Sequence, residues 1–131
     1  MDLRILAILN HKGGVGKTTT CFNLASAFAN KKLRVLAIDL DPQSHLTVSL
    51  GLKDPGLTGV DDIFLEKAAI NSFIINIREN LDVLPAGFRL AEIERLSAEG
   101  RKQARVLSEA LQPVHKNYDI ILLDCPPTSG L

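Results

Sequence analysis

The sequence is poor in cysteine: two in 131 residues, Cys21 and Cys125. They stand in no metal-ligand spacing, and a chain this apolar needs no disulfide staple, so both are expected to be reduced thiols in a cytosolic protein. Nine glycines and six prolines are too few for a fibrous or disordered chain. No run approaches the roughly 20 uninterrupted apolar residues of a membrane span, and no membrane is expected as a partner. The first residues do not read as a signal peptide, because Arg4 interrupts the apolar run and Asn10-His11-Lys12 follows it at once. Charge of one sign is missing as well: 15 basic and 15 acidic residues give a formal net charge of zero. No whole-molecule field therefore draws the chain to nucleic acid or anionic lipid, and any DNA binding would need a local patch or an assembly. Repeats, low-complexity tracts and Ser/Pro/Gly linkers are also lacking, which leaves no reason to cut the chain into two domains.

What is present is a core. With 46% hydrophobic and 23% charged residues, residues 1–131 have the composition of a single globular domain that buries about two-thirds of its unfolded surface. Three short runs rich in Ile, Leu and Val, at 3–9, 34–40 and 120–123, predict strands buried on both faces of a parallel sheet. A weaker run, 81–84, ends at Pro85-Ala86-Gly87. Between the first two strands, residues 18–30 carry Phe22, Leu24, Ala25, Ala27, Phe28 and Ala29 and close on Lys31-Lys32, which predicts a helix with cations at its C-terminus. Helical spacing recurs at 90–97 and 102–111, a short helix is expected at 60–67, and 70–77 fits either a strand or a helix. Strands alternating with helices predict an α/β fold, an open and mostly parallel sheet flanked by helices.

The decisive segment is Lys12-Gly13-Gly14-Val15-Gly16-Lys17-Thr18-Thr19, between the first strand and the first helix. Glycines let successive backbone N–H groups curl around phosphate oxygens, and the helix N-terminus behind them favours negative charge. Lys17 is positioned for the β- and γ-phosphates and the Thr18 hydroxyl for Mg²⁺. The usual Gly-x-x-x-x-Gly-Lys-Thr pattern is broken by His11 at its first position, and a second lysine, Lys12, stands five residues before Lys17. Lys12 lies too close to the strand end to duplicate the work of Lys17 on the same phosphates.

Carboxylates end two of the predicted strands. Ile38-Asp39-Leu40-Asp41-Pro42-Gln43 closes the second, and Leu122-Leu123-Asp124-Cys125-Pro126-Pro127 closes the last. Ligands of open α/β sheets bind beyond the carboxyl ends of the strands. Alone, Asp39 to Pro42 would be the better read as an Asx turn. Beside a phosphate loop, the same carboxylates can position or deprotonate a water and help hold Mg²⁺.

The paired lysines of the loop resemble those of the deviant Walker A ATPases, the ParA and MinD group, and Asp-Leu-Asp-Pro-Gln and Asp-Cys-Pro-Pro resemble ParA more than MinD. Leu81 to Gly87, with the Leu90-Ala91-Glu92-Ile93-Glu94 that follows, resembles the ParA stretch between those two motifs. The resemblance covers the N-terminal half of a Soj-like ParA, the loop at Lys12 leaving no room upstream for a DNA-binding domain. It implies a P-loop NTPase fold, ATP and Mg²⁺ as cofactors, and a nucleotide-dependent homodimer in which Lys12 acts in trans. Gly13, Gly14, Val15, Gly16, Lys17, Thr18 and Thr19 would bind the nucleotide, Lys12, Lys17 and Asp41 would serve catalysis, and Thr18, Asp39 and Asp124 would stand in the metal shell. It further implies a ParB-like activator, nonspecific DNA binding by the ATP dimer, nucleoid association and a role in plasmid or chromosome partitioning. The family continues well past the seven residues that follow Asp124 here, so uncovered apolar surface, a bare sheet edge and self-association are expected, with weak phosphate-driven nucleotide binding and little or no hydrolysis by these residues alone. Two other readings stay open, a MinD-like membrane-cycling ATPase and a relative of cobyrinic acid a,c-diamide synthase.

Other residues read as structural. Cys21 falls on the helix as core, and Cys125 as packing beside Asp124. His11, His45 and His115 form no metal set, Lys31, Lys32 and Arg34 decorate a helix end, and Arg101, Lys102 and Arg105 with Glu99 and Glu109 make a solvated face.

Overall fold

The computed structural model describes residues 4–8, 15–41, 45–49, 51–52, 59–66, 69–87, 90 and 100–125, with backbone alone at 15–19, 45, 66 and 100–104. Its elements are β1 (Arg4–Ile8), α1 (Val15–Asn30), β2 (Val35–Asp39), α2 (His45–Ser49), α3 (Val60–Glu66), β3 (Ile75–Arg78), β4 (Leu81–Leu84), α4 (Gly100–Leu111) and β5 (Ile120–Asp124). Short 3₁₀ turns at Ile70–Ser72 and His115–Asn117 lead into β3 and β5. The expected helices at 18–30, 60–67 and 102–111 are observed as α1, α3 and α4. Of the helix expected at 90–97, only Leu90 lies within the described residues; it is helical and buried.

The strands form one sheet in the order β1-β5-β2-β4-β3. β1, β5, β2 and β4 run parallel, and β3 joins antiparallel to β4. The segment 70–77, readable from sequence as either element, thus divides between a 3₁₀ turn and an antiparallel strand. The hairpin turns through Asn80 at φ 67°, a left-handed conformation that asparagine accepts more readily than most residues.

Strand alternation sorts the interior into two layers. Val35, Ala37, Leu81, Val83, Ile120 and Leu122 face α1, where Cys21, Ala25 and Ala29 repeat every four residues. Such small side chains let the helix lie close to the sheet, and Cys21 is core as expected. Leu36, Ile38, Leu84 and Ile121 face the opposite layer, with Val60 and Ile63 of α3 and Leu107 and Leu111 of α4. β2 is buried along its whole length, and each large aliphatic side chain so buried contributes roughly 1.5–3 kcal/mol.

β1 corrects one expectation. Its apolar run predicts a strand buried on both faces, yet among the described residues it stands at the edge of the sheet and pairs with β5 alone, and Ile5 and Leu6 are 51% and 39% exposed. An apolar run records that a strand wants cover and does not record whether a neighbour supplies it.

At the opposite end of the sheet from the strand tips, the Arg34 guanidinium pairs with the Asp119 carboxylate at 3.1 Å and the Arg34 N–H donates to it at 2.9 Å. The hydrogen bond from Arg34 holds the Asp119 carboxyl below its ordinary range. The Tyr118 hydroxyl donates to Asp82 at 2.7 Å, and Asn76 donates to the other Asp82 oxygen at 2.9 Å. These contacts fix the starts of β2, β4 and β5, so the strands arrive at the functional edge in register.

Candidate functional site

In register, Ile8 of β1 stands beside Asp124 of β5, and Asp124 stands beside Asp39 of β2. Backbone bonds extend this row past the strand ends: the Leu40 N–H donates to the Asp124 carbonyl at 2.9 Å, and the Cys125 N–H donates to the Ile8 carbonyl at 3.2 Å. Asp39 follows Val35 and Ala37, and Asp124 follows Ile120 and Leu122, so alternation turns both carboxylates to the face covered by α1. α1 opens at Val15, which puts Gly16, Lys17, Thr18 and Thr19 in its first turns. Lys12, Gly13 and Gly14 lie outside the described residues, as do the side chains of Val15, Lys17, Thr18 and Thr19.

The carboxylates are withdrawn from water. Asp39 and Asp124 are 0% exposed and Asp41 is 3% exposed. An ionised group in such a place must be met by donors or charge. For Asp39 the donors come from its own segment. One oxygen, Oδ2, accepts the Thr47 hydroxyl at 2.6 Å and the Thr47 N–H at 2.9 Å, while Oδ1 accepts the Asp41 N–H at 3.1 Å. The last contact is the Asx turn foreseen from sequence, and it coexists with a functional placement.

Burial outweighs the three donated hydrogen bonds, which favour the charged form, and with the neighbouring Asp124 charge it leaves the Asp39 carboxyl raised to about 6. Because this lies above the ordinary 3.8, the fold takes up a proton between about pH 6 and 4 and is stabilised as pH falls through that window. The contribution is of order 2–3 kcal/mol. We expect the wild-type unfolding free energy, measured in urea from pH 7 to 4, to rise relative to Asp39→Asn by that order. A difference that is flat with pH would show that Asp39 keeps an ordinary carboxyl.

Thr47 is the residue that sequence reading missed. It sits on α2, only 5% exposed, eight positions beyond the carboxylate it binds. The loop after β4 builds a second joint at the same end of the strands. Val60 N–H donates to the Pro85 carbonyl at 2.9 Å and Asp61 N–H to the Ala86 carbonyl at 3.1 Å, while the buried Asp61 carboxylate accepts from the Gly59 and Asp62 N–H groups at 2.9 and 2.8 Å.

No described helix is long and apolar enough to cross a membrane. Comparison with known proteins places this geometry. The chain is 44% identical over 132 residues to the sporulation initiation inhibitor protein Soj of Bacillus subtilis, an alignment covering 98% of this chain and 51% of Soj. It superposes with a TM-score of 0.87 and 34% identity on a cobyrinic acid a,c-diamide synthase from Mycobacterium smegmatis holding an ATP analogue and magnesium, over 97% of this chain and 52% of that one. A plasmid partition protein from Borrelia burgdorferi gives a TM-score of 0.80 at 30% identity, over 97% and 57% of the two chains. The chain spans about half the length of the curated relatives it matches. The AAA domain family model matches residues 3–131, and the chain belongs to that family, as the N-terminal portion of a ParA-type P-loop protein.

Proposed function

We propose that these residues form the nucleotide switch of a ParA-type ATPase that acts in plasmid or chromosome partitioning. The row Ile8, Asp124 and Asp39 beneath the helix that opens on Val15-Gly16-Lys17-Thr18 carries this reading. A phosphate chain bound at the helix N-terminus would be held by backbone N–H groups and Lys17, with the two strand-tip carboxylates supplying the negative charge for a metal ion.

The donor set fits magnesium. Mg²⁺ keeps several of its waters and asks a protein for one or two oxygen ligands besides the phosphates. The Thr18 hydroxyl and the Asp124 carboxylate would supply these, with Asp39 beside Asp124 in the sheet register. When bound, the ion would neutralise charge developing on the phosphates. Lys17 would hold the β- and γ-phosphates, Lys12 would reach the partner subunit's nucleotide in a homodimer, and Asp41 would orient the attacking water. Nonspecific DNA binding by the ATP dimer, a ParB-like activator and nucleoid association complete the reading as what the ParA resemblance implies, while the partitioning role draws on the plasmid partition relative. The synthase-like alternative draws on the TM-score of 0.87, but sequence identity is 34% there against 44% for Soj.

Titration of a fluorescent ATP analogue with and without Mg²⁺ tests the switch. Mg²⁺ should tighten binding, and Lys17→Ala should weaken it at least tenfold, since a hydrogen bond to a charged group is worth about 1.5–3 kcal/mol. Equal binding by wild type and Lys17→Ala would remove the phosphate loop from the reading.

A further inference from the structure

Thr47 is placed to do more than fill space. Both of its donors, hydroxyl at 2.6 Å and N–H at 2.9 Å, meet one oxygen of Asp39, and the other oxygen receives the Asp41 N–H at 3.1 Å. The three residues are all buried. A carboxylate fully enclosed at the tip of a strand can still rotate about its side-chain torsions, and two donors on one oxygen remove that freedom. With Asp39 fixed, its second oxygen fixes the backbone at Asp41. The sequence of contacts runs Thr47, Asp39, Asp41, from a helix outside the strand to the residue assigned to the water.

We propose that Thr47 is a positioning residue for phosphoryl transfer, which through Asp39 holds the backbone that carries Asp41. This rests on the ATPase reading above. Thr47 touches neither nucleotide nor water in this assignment, and its effect is confined to where Asp41 stands. The hydroxyl is the essential donor, because the N–H of any residue at this position could donate to Asp39. Valine at 47 would keep the volume and lose the hydroxyl, while serine would keep the hydroxyl and lose a methyl group.

Two measurements on the 131-residue chain separate this proposal from the reading beneath it. Amide exchange by ¹H–¹⁵N NMR, without nucleotide, should show at least tenfold faster exchange at Asp41 in Thr47→Val, with protection in β4 unchanged and wild-type exchange at Asp41 restored in Thr47→Ser. Single-turnover ATP cleavage with protein in excess should slow at least tenfold in Thr47→Val, with ATP affinity within threefold of wild type, and recover in Thr47→Ser. Unaltered exchange at Asp41 in Thr47→Val would overturn the proposal, and so would faster exchange with unaltered cleavage, which would make the contact structural only. Failure of the wild type to bind Mg-ATP would overturn the ATPase reading and the proposal with it, and would be seen independently of the exchange data.

Discussion

Asp41→Ala is expected to slow ATP cleavage about 100-fold or more while leaving ATP affinity within about threefold of wild type, the loss falling on turnover because a water-orienting carboxylate contributes roughly 10²–10⁴. Asp41 stands two residues beyond β2, 3% exposed, with its N–H held by Asp39. In the proposed assignment its carboxylate would work only on a nucleotide that Lys17 and the helix N-terminus have already bound, so affinity should not move. Asp124 makes the contrast. It lies inside the row of strand tips, fully buried, and its assigned work is on the metal side of the phosphates, so Asp124→Asn should chiefly weaken the Mg²⁺-dependent part of nucleotide affinity. Single-turnover rates and nucleotide titrations on both variants check the split. Should Asp41→Ala cleave ATP at the wild-type rate, the water belongs to another residue.

The carboxylates could be found in the sequence because each ends an apolar run, and a charge at the tip of a buried strand has few uses besides a ligand. β2 and β5 were legible for the same reason: a continuous run of Ile, Leu and Val needs cover on both faces. That rule over-reads β1, whose run has the same composition but stands at the edge with Ile5 and Leu6 exposed. β3 was ambiguous because four residues, alternately half-buried and exposed, are too short to fix a period. Thr47 could not be found at all. A lone threonine eight residues past an aspartate carries no pattern, and its meaning arises only when α2 folds back on the tip of β2. The joint between α3 and the loop after β4 is of the same kind, since Asp61 reads as an ordinary first-turn acid, favourable to the helix dipole, until Pro85–Gly87 is brought against it.

That joint predicts the largest effect on stability. Gly87→Ala should lower the melting temperature by roughly 10 °C or more, about 3–5 kcal/mol. Gly87 has φ +88°, where a side chain costs about 1–3 kcal/mol, and a Cβ built there would overlap the buried Asp61 carboxylate. Asp61 could escape only by giving up its bonds to the Gly59 and Asp62 N–H groups, and hydrogen bonds to a charged group are worth about 1.5–3 kcal/mol each. Gly51 supplies the control. It has nearly the same backbone angle, φ +91°, with nothing within 4 Å of an added Cβ, so Gly51→Ala should cost the strain alone. A cycle of Gly87→Ala with Asp61→Ala isolates the remainder: if overlap with the carboxylate is the cause, the double variant is more stable than the sum of the two single losses requires. Simple additivity would assign the whole loss to backbone strain. The consequence would extend to the nucleotide edge, because β4 pairs Leu84 with Ile38, one residue before Asp39, and a loosened β4 tip removes the support on which the Asp39 row is set.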